Sequence, residues 1–297
     1  MTARTLTATR PGPMAFLVDL PAGEIRVITD PSRTVAEVTV TARGDDPAVH
    51  EAVCDAVLRW DEPTGTLTVR VHPTAASVAF AGSTQTVTGV EIGGVVNLGG
   101  RVVIGGVEIT GRGATGGRIE IIAKLPEGSS VAALTRSASL ACLGEFAEVD
   151  FTSTAGDVSA GGVGALRAKT TSGDVSAAVV DGAAVVRSVS GDVHLGRADD
   201  VYAATTSGDV TVTDFAGRAE VSTVSGDIRI RATAGAAIAA RSVSGDVTVT
   251  ANGTALAEGL AVNATSRTGR VTTPTDTPPG AASASHVRQP RRTNGGA

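Results

Sequence analysis

Apolar and polar residues alternate with a period of two along much of the second half of the chain, and the alternation restarts at near-constant steps. Each restart follows a G-D-[VI] sequence, preceded by Ser in all copies but the first, which reads A-G-D-V. The aspartate-to-aspartate steps are 17, 18, 17, 18 and 19 residues. The first residue after each aspartate is Val or Ile, the second is polar, and the third is Ala, Leu, Val or Ile. This alternation is typical of a strand with one buried face, so we predict a strand after every turn.

A second apolar pair precedes each aspartate, at the eighth and sixth positions before it, as in Val149 and Phe151. Each unit is therefore predicted to be a strand, an S-G-D turn, a strand and a glycine-containing loop. Two such short strands cannot bury a face alone, but parallel stacking of units about 4.8 Å apart buries four apolar columns. A repeat of ~18 residues thus predicts an all-β fold, a single-stranded β-solenoid or β-helix.

The fourth position before each aspartate has inward parity, yet it always carries a hydroxyl. Burying a hydroxyl without a partner costs about 1–3 kcal/mol. We therefore expect this column to hydrogen-bond from coil to coil and to the turn backbone. The column consists of Ser153, Thr170, Ser188, Thr205, Thr223 and Ser242.

The repeated turn has a structural and a chemical interpretation. Glycine tolerates positive φ at a sharp corner, and the following aspartate can accept N–H bonds from its own turn. Alternatively, the stacked carboxylates bind cations, although the calcium-binding repeat has a nine-residue period and more glycine. We predict a structural turn ladder with no catalytic, cofactor or metal residues. Its members are Gly156, Asp157, Gly173, Asp174, Gly191, Asp192, Gly208, Asp209, Gly226, Asp227, Gly245 and Asp246.

The repeat also suggests how the chain is organised. Degenerate coils can be aligned on Glu24, Ser139 and Arg270, where the apolar columns persist without the aspartate. We predict one solenoid domain over residues 14–273. The further divisions are a loose leader over residues 1–13, a Gly-rich insertion with short strands over 81–117, regular SGDV coils over 131–273, and a disordered tail over 274–297.

One short stretch departs from strand periodicity. Asp46 is a plausible N-cap before Pro47, and apolar residues then recur at helical spacing. The pattern predicts a short amphipathic helix over residues 47–59 that packs on the strands. Its apolar face would consist of Val49, Ala52, Val53, Ala56 and Val57.

Composition excludes several function classes. Aromatic residues make up 2% and the net charge is −5, and no basic stripe suggests nucleic-acid binding. Cys54 and Cys142 lack metal-site spacing and are predicted to be buried small hydrophobes. Lys169, Arg187 and Arg241 share one outward column, which we interpret as solvated surface. No nucleophile, phosphate-loop or zinc motif is present, so neither an enzyme nor a cofactor is predicted.

The repeated S-G-D-V, preceded by a strand that ends in a proline turn (IEIIAKLPEGSSVAAL), resembles the bacterial putative-adhesin family. This family is a domain of unknown function with SGDV repeats, also called the toastrack domain. The resemblance implies a β-helix-like domain without known catalysis. It also implies relatives in envelope-stress and antimicrobial-peptide-response systems.

These observations predict a non-catalytic interaction scaffold for a protein partner, and the resemblance implies a link to an envelope stress response. The alternatives are a self-assembling, bactofilin-like filament and a surface adhesin. No signal-peptide or membrane-span pattern is seen, which predicts a cytoplasmic protein. Peripheral membrane association and self-association are further alternatives, and no nucleic-acid partner is expected.

Overall fold

The computed structural model describes residues 2–72, 96–98, 101–104, 107–110 and 117–274. Strands dominate this part of the chain, and most of them form one continuous sheet. The strands of the first half are β1 (Ala3–Thr7), β2 (Ala15–Leu20), β3 (Glu24–Asp30), β4 (Glu37–Arg43), β5 (Val57–Asp61), β6 (Thr66–Arg70), β7 (Val96–Leu98), β8 (Arg101–Ile104), β9 (Val107–Thr110), β10 (Arg118–Pro126), β11 (Ser130–Thr135) and β12 (Ser139–Thr152). The later strands are β13 (Val158–Lys169), β14 (Val175–Arg187), β15 (Val193–Ala204), β16 (Val210–Ser222), β17 (Ile228–Ser242), β18 (Val247–Ala251), β19 (Leu260–Ser266) and β20 (Val271–Thr272), and the helices are α1 (Pro47–Asp55) and α2 (Gly253–Glu258).

The predicted β-solenoid is confirmed. Strands β12 to β17 pair in parallel, each with the next, and the apolar residue after each aspartate is the register neighbour of its counterpart one coil away. All members of this column are at most 1% exposed, because they face the core between the two walls of the stack. The column runs through Val158, Val175, Val193, Val210, Ile228 and Val247.

The sequence predicts a glycine-containing loop after the second strand of each unit, and this prediction is wrong for the regular coils. In β13 to β17 the chain stays in one long strand through this region, and only the pairing register shifts there. The parallel ladder therefore continues across the bend. We refer to the part of each coil before the S-G-D turn as the upstream arm and the part after it as the downstream arm.

The degenerate coils occupy the predicted places, but not in chain order. The coil built from β2 and β3 lies inside the stack. Its arms pair on one side with β11 and β12, and on the other with β6 and β10. The alignment on Glu24 is confirmed, since Ile25 stacks on Leu140 and Phe16 stacks on Val131.

The end of the stack beyond β10 is covered by antiparallel elements. Strand β4 pairs with β10, β1 pairs with β4, and β5 pairs with β6. The expected loose leader over residues 1–13 is thus wrong where β1 forms. Such long-range antiparallel pairing has no repeat signal in the sequence.

Helix α1 packs on β1, β4 and β10 with Val49, Ala52 and Val53 buried. Asp46 is its N-cap, as predicted, and accepts the N–H of Ala48 at 2.9 Å. The helix ends at Asp55, however, and Val57 is 46% exposed at the start of β5. The predicted end at residue 59 is wrong because residues 57–61 pair with β6 instead.

The opposite end of the stack is formed by β19, which pairs with β17, and by the two-residue β20, which pairs with β18. Helix α2 lies between β18 and β19 and packs mainly on β17. Its N-cap Asn252 accepts the N–H of Ala255 at 2.8 Å. The alignment of Val262, Ala264 and Val271 with the apolar columns is confirmed.

Two predicted segments lie largely outside the described residues. Within the Gly-rich insertion, β7, β8 and β9 form a separate antiparallel sheet, while the remainder of 81–116 falls outside the description. Of the predicted tail, only Pro274 is described. The proposed domain boundaries stay predictions. In the part of the chain that the structure describes, no helix has the length and apolarity needed to cross a bilayer.

Candidate functional site

The S-G-D corner is held by hydrogen bonds that pass from one coil to the next. One carboxylate oxygen of each aspartate accepts the backbone N–H of the aspartate in the following coil, at 2.7–2.9 Å. Asp246 ends the series by accepting the N–H of Arg270 at 2.7 Å. The expectation of bonds within the same turn is therefore wrong, because the neighbouring coil places its N–H directly within reach.

The glycines of the corner serve close approach between coils. None of the six has a positive φ, so the expected backbone reason for glycine is wrong. A Cβ built on Gly173 would lie 1.9 Å from the carbonyl oxygen of Gly156, and one on Gly191 would lie 1.8 Å from that of Gly173. Real atoms cannot approach so closely, so only glycine permits this stacking.

The hydroxyl column is buried and bonded, as predicted. Each hydroxyl oxygen accepts the N–H of the corner glycine three residues later, at 2.8–3.1 Å. Some also donate to the preceding coil, as Ser242 does to the Gly226 carbonyl at 3.2 Å. These bonds fix the corner from inside while the aspartates fix it from outside.

The second carboxylate oxygen of each aspartate takes no part in the coil-to-coil bond and can pair with a cation. Arg229 pairs with this oxygen on two of the aspartates. Arg229 donates to Asp227 at 2.6 Å and to Asp209 at 3.2 Å. Over the residues that the structure describes, no group of three or more His, Cys, Asp or Glu is placed to hold a metal ion. A purely structural role for the ladder remains our proposal.

Cys54 departs from the predicted burial, since it is exposed, whereas Cys142 is buried in an apolar column. Both are free thiols. Burial raises the pKa of the Cys142 thiol to about 12. Cys142 is therefore not placed to react in the folded protein, whereas Cys54 is exposed.

A groove on the outer surface of the upstream arms is the strongest candidate for a binding site. We call it the outer groove; it crosses β6, β2, β11 and β12 and encloses about 300 Å³. Two leucines with outward parity stand in it, Leu17 at 41% and Leu134 at 53% exposure. A second hollow of about 150 Å³ beside Ala15 and Ser130 continues it.

The register explains why a hollow forms here. Ala132 is the neighbour of Leu17 on one side and of Asp150 on the other. Its methyl group is too short to fill the space between them, so it forms a floor, with Leu17 and Leu134 as apolar walls. The outer groove was missed from the sequence. The available signal was a large apolar residue at an outward position in two separate coils.

Charges surround the outer groove. Asp19 pairs with Arg70 at 3.4 Å, and Glu148 pairs with Arg167 at 2.9 Å. Asp150 lines both hollows and has no ion pair with any of the residues that the structure describes. The groove therefore combines an apolar floor with a rim of two ion pairs and one carboxylate, Asp150, that has no ion pair among the described residues.

The basic column begins beside the outer groove, because Lys169 is the register neighbour of Thr152, which lines the groove. Lys169 and Arg187 are register neighbours, and Arg241 stands three coils beyond Arg187 in the same column. Arg241 lies 3.9 Å from Glu220. The structure thus separates Arg241 from the other two, and no compact basic site results.

A family model described as Toastrack DUF4097 matches residues 24–293. No curated protein matches the chain. A solved structure of a putative cell adhesion protein from Clostridium sporogenes ATCC 15579 is similar at 10% identity, covering 78% of this chain and 100% of that one, with a TM-score of 0.35. Putative adhesins from Parabacteroides distasonis ATCC 8503 (8% identity, 92% and 97% covered, TM-score 0.32) and Parabacteroides merdae ATCC 43184 (10%, 91% and 95%, TM-score 0.32) are also similar.

Proposed function

We propose that this chain, which belongs to the Toastrack DUF4097 family, is a non-catalytic β-solenoid that holds a protein partner in the outer groove. The observation that carries the proposal is the pair Leu17 and Leu134, exposed on an outward face where the regular coils carry mostly polar or small residues. The coil-to-coil ladder supports a role as a rigid platform, since a surface held in place loses little entropy on binding.

The apolar part of the groove offers a modest but useful binding energy. Full burial of a leucine side chain is worth about 1.5–3 kcal/mol. Because Leu17 is 41% and Leu134 is 53% exposed, completing their burial contributes about 1 kcal/mol each. Two such contacts suit a reversible interaction with an apolar side chain inserted between them.

The charges define the chemistry of the partner. Asp150 faces the groove without an ion pair among the described residues, whereas Arg70 and Arg167 offset the charges of Asp19 and Glu148. We therefore infer a polypeptide segment in which a large apolar residue stands next to Lys or Arg. The basic residue would pair with Asp150 while the apolar residue fills the hollow.

Selection from a random peptide library displayed on phage tests this proposal. The expected peptides carry an aliphatic or aromatic residue beside Lys or Arg, and they lose affinity for the Leu134→Ser variant. Leu143→Ser is the matched control, because Leu143 is also 53% exposed but lies on a downstream arm. Peptides that bind Leu134→Ser as well as the parent protein would refute the site.

A role in an envelope stress response also belongs to this proposal, and the family resemblance supports it. For a role in an envelope stress response, we expect the amount of protein to rise after damage to the cell envelope, as measured by immunoblotting. Unchanged amounts would argue against that role. Cell fractionation tests the predicted cytoplasmic location against a surface adhesin, which would appear with the envelope or the medium.

A further inference from the structure

The edge strands at the two ends of the coil stack differ in their charged residues. At the end formed by β1, β4 and β5, the edges carry charges: Arg4 on β1, and Arg59 and Asp61 on β5. Arg4 also donates to the carbonyl oxygens of Cys54 and Ala56. Charges on an edge strand oppose pairing with another chain.

The edge strand at the other end carries no charge of its own, although Arg267 follows directly after it. Strand β19 has the sequence LAVNATS, without a charge or a proline, and β17 is its one ladder partner among the residues described. Among these residues nothing pairs with the second edge of β19, which is therefore free to accept another strand. Leu260, Val262 and Val271 are only half-buried there, at the last coil of the core. An uncharged edge beside an incompletely covered core is a template for strand addition.

We propose that β19 pairs antiparallel with β19 of a second copy of this chain, around a two-fold axis at Asn263. In this register Val262 lies opposite Ala264, and Leu260 lies opposite Ser266. All four have inward parity, so the apolar columns of the two copies become continuous.

A second copy is the occupant that this geometry favours. The segment is self-complementary about Asn263 and needs no opposite charge, so identical strands satisfy each other. A two-fold interface uses the same surface on both copies and therefore closes at two. Head-to-tail filament growth would instead require β19 to pair with a charged edge at the other end.

Charge substitutions at the axis test the pairing. Asn263 is exposed and outward, so Asn263→Asp and Asn263→Lys should leave the monomer folded. In a dimer the two residues at position 263 face each other, with Cβ atoms about 4.5–5.5 Å apart. Each variant alone should dimerise roughly tenfold more weakly, and an equal mixture of the two should recover a heterodimer. Ser222→Asp, exposed on β16, is the control and should not change the dimer.

Sedimentation velocity over a range of concentrations gives the readout. A dimer limit for the parent chain, weakening in each Asn263 variant and rescue on mixing support the proposal. A parent chain that stays monomeric, variants that dimerise like the parent, or species larger than a dimer overturn it. A chain truncated after Pro274 should dimerise as the parent does; dimerisation that appears only after truncation would assign the edge to the chain's own tail and overturn the proposal. The outcome is independent of the outer groove.

Discussion

Replacing Gly191 with Ala should destabilise the protein strongly, because the new Cβ has no space. It would lie 1.8 Å from the carbonyl oxygen of Gly173, so the coils must separate by roughly 1 Å at this corner. The separation strains the bond between Asp192 N–H and Asp174, 2.9 Å long, and the bond from Ser190 N–H to the Thr171 carbonyl, 2.8 Å long. Overpacking costs about 1–3 kcal/mol and each weakened hydrogen bond about 1 kcal/mol, so we expect a total loss of about 3–5 kcal/mol.

Thermal unfolding followed by far-ultraviolet circular dichroism measures this loss, and it should appear as a melting temperature lower by about 6–20 °C. Gly253→Ala is the matched control, because a Cβ there meets nothing within 4 Å. It should change the stability by less than about 1 kcal/mol. Gly191→Asn separates the two explanations of the glycine. Asparagine tolerates a left-handed backbone but still carries a Cβ, so we expect it to be as harmful as alanine. A mild effect of Gly191→Ala would refute the close-approach argument.

Three further predictions use the same geometry. Val210→Asp should destabilise by more than about 3 kcal/mol, since Val210 is fully buried, whereas Thr211→Asp on the outward side should change stability by less than about 1 kcal/mol; equal melting shifts would contradict the inside–outside assignment. Asp209→Asn should be tolerated because the amide oxygen can still accept the next coil's N–H, whereas Asp209→Ala should cost about 1 kcal/mol. Calcium should leave the melting curve of the parent protein unchanged. A calcium-dependent rise in melting temperature that Asp209→Asn abolishes would indicate an ion site. Exposed Cys54 should react with a thiol reagent in the native protein, and Cys142 only after unfolding, because burial raises its pKa to about 12; fast labelling of both would show that the core is open.

The coil architecture could be predicted from the sequence because it rests on parity and repetition. The column from Val158 to Val247 repeats the same apolar choice in every unit, so its register followed directly from alignment. The hydroxyl column was also predictable, since a Ser or Thr at an inward position needs a partner in any coil. Even the divergent coil at Glu24 kept enough apolar positions to be recognised.

Features that depend on contacts between coils could not be predicted in this way. The role of the corner glycines arises from a carbonyl in the neighbouring coil, and the local sequence equally suggested a positive φ. The aspartates likewise bond to an N–H one coil away. The capping strand β1 pairs with β4 without any repeat, and the outer groove joins Leu17 and Leu134 from coils that are distant in the chain.

The central claim, that a partner docks in the outer groove, is tested most directly by nuclear magnetic resonance titration with a peptide selected from the library. We predict backbone amide shifts concentrated in Ala15–Leu20 and Ser130–Thr135, with saturation in the parent chain and in Leu143→Ser but a strongly weakened response in Leu134→Ser. Shifts centred on other coils, or an unchanged affinity of Leu134→Ser for the peptide, would contradict the account.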